Sequence, residues 1–124
     1  MIVADTDVLI DFLTGTDPGA SDVARFLEQG DLWITAVSRF ELLCGVRSKK
    51  QERLIQQLLR AIPTLPLDEP AADTAATIRK ELTAKGTDIG MADSLIAGMV
   101  LEHSAALLTR NRRHFGKVAG LRLA

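Results

Sequence analysis

The feature that most constrains the fold of this chain is a regular alternation between short apolar segments and longer segments with helical periodicity. The apolar segments are predicted as strands and are residues 2–4, 32–35, 63–67, 106–109 and 121–123. The segments between them carry apolar residues at the three-to-four-residue spacing of amphipathic helices. Helices that connect consecutive strands make the strands parallel and cover both faces of the sheet. The alternation therefore predicts an α/β fold with a mainly parallel sheet.

Local capping signals predict where several of the helices begin. Ser48 is followed three residues later by Gln51, which is the pattern of a capping box, and Asp68 is placed to cap a helix over residues 70–85. Ser21 is predicted to open a helix that ends at a glycine. A further helix, over residues 91–103, is apolar almost all round, which is typical of a buried helix.

The length of 124 residues suits one domain, predicted over residues 1–124. No apolar run reaches the roughly 20 residues that span a bilayer, and the first residues lack the basic and apolar regions of a signal peptide. Cys44 is the only cysteine, which excludes an internal disulfide and a cysteine-based zinc site. We therefore expect a cytoplasmic protein with no membrane segment.

The net charge of −1 excludes a strongly basic protein that coats nucleic acid without specificity. The positive charges are nevertheless clustered, in one group over residues 47–53 and another over residues 110–117. Such runs are commonly solvated surface. The second run follows a predicted strand end, which leaves a role in RNA binding open.

Three acidic residues, Asp5, Glu41 and Asp93, stand at positions where ligands bind in parallel α/β folds. Asp5 ends the first strand, and Glu41 lies early in the helix after the second. Asp93 begins the apolar helix that leads to the fourth strand. Each acid also has a purely structural explanation, because Asp and Glu are common in helix caps and first turns, and Ser38 with Glu41 has the spacing of a capping box.

Taken together, the three acids favour a metal site. Asp5 follows three apolar residues and Asp93 heads a buried helix, so both are close to the core, and no lysine or arginine is adjacent to either in sequence. Buried carboxylates require a compensating charge. Carboxylate oxygens without cysteine or clustered histidine suit Mg²⁺ or Mn²⁺.

Four segments resemble, in order and spacing, the motifs of PIN-domain ribonucleases of the VapC toxin type. They are residues 2–13 (IVADTDVLIDFL), 35–45 (TAVSRFELLCG), 86–97 (GTDIGMADSLIA) and 108–115 (LTRNRRHF). The resemblance implies a three-layer α/β/α sandwich around a parallel sheet and metal-dependent hydrolysis of RNA. It assigns Asp5, Glu41 and Asp93 as metal-binding acids that hold Mg²⁺ or Mn²⁺.

The resemblance also implies roles for residues around the three acids. Members of the family often have a fourth acid where this chain has Asn111, so Asn111 is predicted as a catalytic position with a weaker metal ligand; Asp7, Asp11 and Asp88 are lower-ranked substitutes. Thr6 and Thr109 are predicted to orient the ligands. The residues predicted to bind RNA are Arg39, Arg110, Arg112 and Arg113.

Relatives of this type pair as homodimers and bind a segment of a small antitoxin protein in a hydrophobic groove. By resemblance we expect a homodimer and a VapB-type antitoxin partner. The stripe Leu54, Ile55, Leu58, Leu59 and Ile62 has the spacing of either a core face or such a groove.

Two alternatives remain open from the sequence. The segment after the first strand, Asp5-Thr6-Asp7-Val8, also resembles the nucleophile motif of haloacid-dehalogenase phosphohydrolases, although the later motifs of that family are absent. The second alternative is a non-catalytic PIN-like binding module, which Asn111 makes conceivable.

Overall fold

A computed structural model describes residues 1–124 of the protein as five strands and seven helices. The strands are β1 (Ile2–Ala4), β2 (Leu32–Thr35), β3 (Thr64–Leu65), β4 (Ala106–Leu108) and β5 (Arg122–Leu123). The helices are α1 (Thr6–Thr14), α2 (Gly19–Glu28), α3 (Ala36–Cys44), α4 (Lys49–Ala61), α5 (Glu69–Ala84), α6 (Met91–Glu102) and α7 (Arg112–Phe115). The predicted strands are all present; β1 and β2 have the predicted bounds, and those of the other three differ by one or two residues at an end.

The five strands form one sheet in the order β3-β2-β1-β4-β5, and every neighbouring pair is parallel. The first strand, β1, lies at the centre, with Ile2 in register with Leu32 of β2 on one side and Ala106 of β4 on the other. Because the strands are parallel, their carboxyl ends meet at one edge of the sheet. The predicted α/β fold is confirmed.

Side chains that alternate along the strands build two separate cores. Val3 and Leu107 face a core that α5 and α6 complete, while Ala4 and Leu108 face a core completed by α1, α2 and α4. The alternation follows from the pleat, which directs successive side chains to opposite faces. The sheet is therefore the middle layer of the predicted three-layer sandwich.

The contact between α5 and α6 is the closest helix packing on the first face. A Cβ at Gly98 would lie 2.7 Å from the backbone nitrogen of Ala75 and 2.8 Å from the carbonyl oxygen of Ala71. Glycine is therefore required at this crossing, and its cost to helix propensity is offset by close packing.

Capping contacts confirm some of the predicted helix starts and correct others. Ser48 and Asp68 cap α4 and α5, as predicted, through hydrogen bonds from the backbone N–H of Gln51 and Ala71. The helix predicted from Ser21 begins two residues earlier, at Gly19. The short helix α7 was not predicted, because its four residues are too few to show a period.

The structure excludes the capping box that the spacing of Ser38 and Glu41 left open as an explanation. The residue that caps α3 is Thr35, whose Oγ1 accepts the backbone N–H of Ser38 at 3.0 Å. The helix begins immediately after β2, so Ser38 lies inside its first turn, and Glu41 is free for another contact. No helix of the structure is both long and apolar enough to cross a membrane.

Candidate active site

The carboxyl edge of the sheet brings together the ends of β1, β2 and β4. Asp5, Thr35 and Thr109 follow the last residues of these strands or end them, and all three are buried. This edge is where parallel α/β folds place their ligands. The cluster at the edge, called the acidic cluster below, contains Asp5, Asp7, Glu41 and Asp93.

Asp5 is the most buried acid of the cluster, with a residue exposure of 6%. Its Oδ1 accepts the backbone N–H of Thr6 at 2.8 Å, which caps α1, and its Oδ2 accepts a hydrogen bond from Thr109 Oγ1 at 2.8 Å. The residue is therefore both the helix cap that the sequence allowed and a charged group at the site edge. Helix capping alone does not require the hydrogen bond from Thr109 to Oδ2.

Asp7 lies one residue inside α1 and faces the same hydroxyl. Its Oδ2 accepts the backbone N–H of Arg110 at 3.1 Å and lies 3.3 Å from Thr109 Oγ1. Its other oxygen, Oδ1, is buried and has no hydrogen-bond partner. Thr109 has one hydroxyl proton to offer two carboxylates, so the cluster has fewer donors than its negative charge requires.

Glu41 joins the cluster through Thr6. Thr6 Oγ1 donates to Glu41 Oε1 at 2.7 Å and lies 2.9 Å from Ser38 Oγ. The two hydroxyls lie between the first turns of α1 and α3, and they hold the exposed Glu41 next to the cap of α1. This contact uses the glutamate that the corrected cap of α3 leaves free.

Asp93 and Asn111 meet at His114. His114 Nδ1 lies 3.2 Å from Asp93 Oδ2 and 2.9 Å from Asn111 Nδ2. The backbone N–H of Asn111 also donates to Thr109 Oγ1 at 3.0 Å, which connects this group to Asp5. These contacts bring the four predicted catalytic residues together, and His114 Nδ1 either accepts from Asn111 or donates to Asp93, depending on whether it carries the proton.

The charges of the cluster perturb one another. Burial, and then the negative charge of Asp7, raise the pKa of Asp5 from 3.8 to about 6, although hydrogen bonds from Thr109 and Thr6 act in the opposite direction. Burial also raises the pKa of Asp93; the contact with His114 lowers it, and Asp7 raises it further. The ionised forms of both acids thus lack a sufficient positive partner.

Arg110 lies beside the cluster, and a buried acid of α1 pairs with its guanidinium. Arg110 Nε lies 2.7 Å from Oδ2 of Asp11, a buried residue of α1, although the angle is not that of a hydrogen bond. This ion pair fixes the turn that carries Thr109 and Asn111 onto α1. Arg110 was predicted to bind RNA; in this structure its guanidinium pairs with Asp11.

The other three residues predicted to bind RNA lie at the surface and differ in whether their guanidinium groups already make a contact within the protein. Arg112 donates to the carbonyl oxygen of Ala124 at 2.6 Å, and Arg39 donates to Thr64 Oγ1 at 3.4 Å. Arg113 is exposed and has neither a hydrogen bond nor an ion pair through its side chain. Arg113 is consequently the most available of the four for an external phosphate.

The donor set fits a hard divalent cation, although the side chains are not arranged around one. No group of three or more acidic, histidine or cysteine side chains is close enough to hold a metal ion. Asp5, Glu41 and Asp93 each face a different partner, as expected of like charges that repel. The unpartnered Oδ1 of Asp7 and the raised pKa values of Asp5 and Asp93 are what a missing positive charge would produce.

An apolar groove borders the acidic cluster. It is a cavity of about 330 Å³ between α1, α3 and α4, with Ile10, Leu42 and Leu54 among its lining residues and Glu41 at its polar end. Leu54 is 41% exposed, whereas Ile55, Leu58, Leu59 and Ile62 of the same stripe are buried. Most of the stripe therefore belongs to the core, and its exposed edge lines the groove.

Sequence reasoning missed two features of the site. The pair between Asp11 and Arg110 joins distant segments, and nothing in the local pattern of either residue indicates it. His114 was interpreted as a structural or phosphate-binding residue of the basic run, and the structure places it between Asp93 and Asn111. The signal that could have found it is its position three residues after Asn111, on the same side of a helical turn.

Comparison with known proteins identifies the family. The PIN domain model matches residues 2–121. The chain is 35% identical over 123 residues to the tRNA(fMet)-specific endonuclease VapC of Shigella flexneri, covering 95% of this chain and 92% of that protein. It is 31% identical over 115 residues to the ribonuclease VapC10 of Mycobacterium tuberculosis, covering 93% and 86% respectively.

Solved structures agree with the sequence matches. The DNA-bound VapBC complex from Salmonella typhimurium contains a chain that superposes with a TM-score of 0.85 at 26% identity, covering 99% of this chain and 96% of that one. These matches do not favour the phosphohydrolase or the non-catalytic module. The resemblance of the four motifs is confirmed: this chain belongs to the PIN-domain family, and its relatives place it among the VapC-type ribonucleases of toxin–antitoxin systems.

Proposed function

We propose that this protein is an endoribonuclease toxin that hydrolyses RNA phosphodiester bonds with the help of Mg²⁺ or Mn²⁺. The observation that carries the proposal is the meeting of Asp5, Glu41 and Asp93, three acids far apart in sequence, at the carboxyl edge of the sheet. The ribonuclease names of relatives over nearly the whole chain support the substrate class.

Asp5, Glu41 and Asp93 are the residues that would hold the cation. The chemistry that a divalent cation would supply at these residues is a lower pKa of bound water and neutralisation of the charge that develops on the phosphate. Thr109 and Thr6 orient Asp5 and Glu41 through their hydroxyls. Glu41 is exposed and has only Oε1 in a hydrogen bond, so its second oxygen is available to the ion or to a proton.

The RNA backbone must approach a surface that carries several carboxylates. Arg113 is free to hold a phosphate next to Asn111 and His114, and Arg39 and Arg112 can exchange their weak or exposed internal contacts for one. Arg110 contributes in another way, because its pair with Asp11 keeps Thr109 against Asp5.

We further propose a VapB-type antitoxin as the protein partner. The apolar groove between α1, α3 and α4 suits the apolar face of a short peptide segment, and Glu41 lies at its end. A segment bound there would lie beside the acidic cluster. Matched structures are VapBC and FitAB complexes, which supports this partner. The homodimer and the cytoplasmic location stay expectations from the sequence.

The decisive experiment measures RNA cleavage by the purified chain with Mg²⁺ or Mn²⁺ and with a chelator. Asp5→Ala and Asp93→Ala are each expected to lower the cleavage rate by at least about a hundredfold, because each removes a carboxylate that activates the attacking water. Asp73→Ala, at an exposed position on α5, is the matched control and should cleave at the native rate.

Undiminished cleavage by both site variants, or equal cleavage in chelator, would overturn the proposal. Release of phosphate from a small phosphoester without RNA cleavage would favour the phosphohydrolase instead.

A further inference from the structure

Asn111 takes the position at which the family resemblance predicts a fourth acid, and its side chain contacts His114. Its Nδ2 lies 2.9 Å from His114 Nδ1, and His114 in turn contacts Asp93. A neutral amide in this contact provides no negative charge to the site. The charge of a fourth acid is therefore either absent or supplied from another position.

Asp7 has a carboxylate oxygen with no assigned role. Oδ2 is held by the backbone N–H of Arg110 at 3.1 Å and by Thr109 Oγ1 at 3.3 Å. Oδ1 is buried without any hydrogen-bond partner. A buried carboxylate oxygen without a donor is unfavourable, and native structures rarely leave one unless it has a ligand.

The position of Asp7 is central to the acidic cluster. Its Oδ2 and the Oδ2 of Asp5 share one hydroxyl, that of Thr109. The backbone N–H of Asn111 donates to the oxygen of the same hydroxyl at 3.0 Å, so Asp7 lies beside both Asp5 and Asn111.

We propose that Asp7, through Oδ1, supplies the fourth carboxylate of the cation site in place of Asn111. The inference rests on the proposed metal-dependent function and assigns a residue that the three-acid site lacks. The ion pair of Arg110 with Asp11 supports it, because that pair fixes the N–H group that holds Oδ2 and so determines where Oδ1 lies.

The competing explanation is that Asp7 only positions the turn at Thr109 and Arg110 through Oδ2. The substitution Asp7→Asn separates the two explanations. Both neighbours of Oδ2 are donors, so the carbonyl oxygen of asparagine is retained on that side and the NH₂ group takes the place of Oδ1. The positioning contacts remain, and the oxygen offered to the cation is lost.

The test is a calorimetric titration of Mn²⁺ into the native chain, Asp7→Asn and Asp88→Asn at neutral pH. Asp88→Asn is the matched control, because Asp88 Oδ1 caps the backbone N–H of Gly90 and Oδ2 faces Arg79 at 3.6 Å. Asp7→Asn is expected to weaken Mn²⁺ binding at least tenfold, and Asp88→Asn to change it less than twofold.

Thermal unfolding provides a second readout that misfolding cannot imitate. Without metal, Asp7→Asn is expected to melt at a higher temperature than the native chain, because it removes a charge that opposes ionised Asp5. With saturating Mn²⁺ the order should reverse, because the variant gains less from the ion. A variant that merely folds poorly would melt lower in both conditions.

Native Mn²⁺ affinity in Asp7→Asn, or equal weakening in Asp88→Asn, would overturn the assignment of Asp7. If the native chain cleaves RNA and binds Mn²⁺ while Asp7→Asn binds equally well, only this inference fails. If the native chain itself binds no Mn²⁺, the proposed metal-dependent function fails together with it.

Discussion

The helix pairs α1/α2 and α5/α6 cover opposite faces of the sheet, and each has a glycine at its closest contact. At Gly98 of α6 the neighbours are the backbone of α5 and the Cβ of Ala75, which are small and uncharged. At Gly19 of α2 a Cβ would collide with Oδ2 of Asp11, a buried carboxylate. A glycine therefore permits close packing against apolar atoms on one face and against a carboxylate on the other.

The difference shows how stability and function are divided in this molecule. The α5/α6 contact at Gly98 buries apolar surface and stabilises the fold, while the acid of α6, Asp93, lies in the first turn of that helix and belongs to the acidic cluster. The α1/α2 face buries Asp11, which pairs with Arg110 and so holds the turn that presents Thr109 to Asp5. We expect removal of the Asp5 charge at the site to raise stability at neutral pH, and an added side chain at Gly98 to lower it.

The largest effect is expected at Asp5 in the metal-free protein. A pKa raised from 3.8 to about 6 corresponds to about 3 kcal/mol of unfavourable free energy for the ionised form. The folded state binds this proton more tightly than the unfolded state, so stability falls as pH rises from about 4 to about 6 and stays reduced at neutral pH. Asp5→Asn should therefore be more stable at pH 7 and lack most of this pH dependence.

Chemical denaturation at several pH values, in the presence of chelator, measures this prediction. Asparagine retains an acceptor for the N–H of Thr6, so helix capping is preserved. A variant that is less stable than the native chain at pH 7 would show that the charged face does not oppose folding.

The second-largest effect on stability is expected at Gly98, on the face of the sheet that α5 and α6 cover. Gly98→Ala places a Cβ 2.7 Å from the Ala75 nitrogen and should lower the free energy of unfolding by about 2 kcal/mol, because α5 and α6 must separate. Gly45→Ala is the matched control, since its Cβ would lie 3.5 Å from the nearest atom, an ordinary contact. Denaturant midpoints compare the two variants; equal midpoints would remove the packing argument.

A smaller effect on stability is expected from the ion pair between Arg110 and Asp11. Arg110→Gln leaves Asp11 buried without its cation and should lower stability by about 1 kcal/mol. Arg113→Gln, at a neighbouring exposed position, should change stability by less than about 0.5 kcal/mol. Adding Asp11→Asn to Arg110→Gln should recover part of the loss in a double-mutant cycle. Simple additivity of the two substitutions would contradict the ion pair.

The sequence predicted those features that depend on neighbouring residues or on general rules of topology. Short apolar runs gave the strands, and Ser48 and Asp68 showed where helices begin. The proximity of Asp5 and Thr109, 104 residues apart, followed from the rule that carboxyl ends of parallel strands share an edge.

The rest depended on details that local patterns do not carry. The cap of α3 could be Thr35 or Ser38, and only the end of β2 decides between them. The contacts of Asp11 with Arg110 and of His114 with Asp93 arise from side-chain packing between distant elements. The unpartnered oxygen of Asp7 is visible only when every donor around it is located.

The central position of β1 has a consequence for how the protein becomes active during its own synthesis. Strand β1 needs β4 as its second neighbour, and Asp5 meets its hydroxyl partner only when residue 109 has been added. Contacts so distant in sequence form late and slowly. A nascent chain that has not yet reached Thr109 therefore lacks the contact that joins Asp5 to the turn carrying Asn111, and with it the assembled acidic cluster.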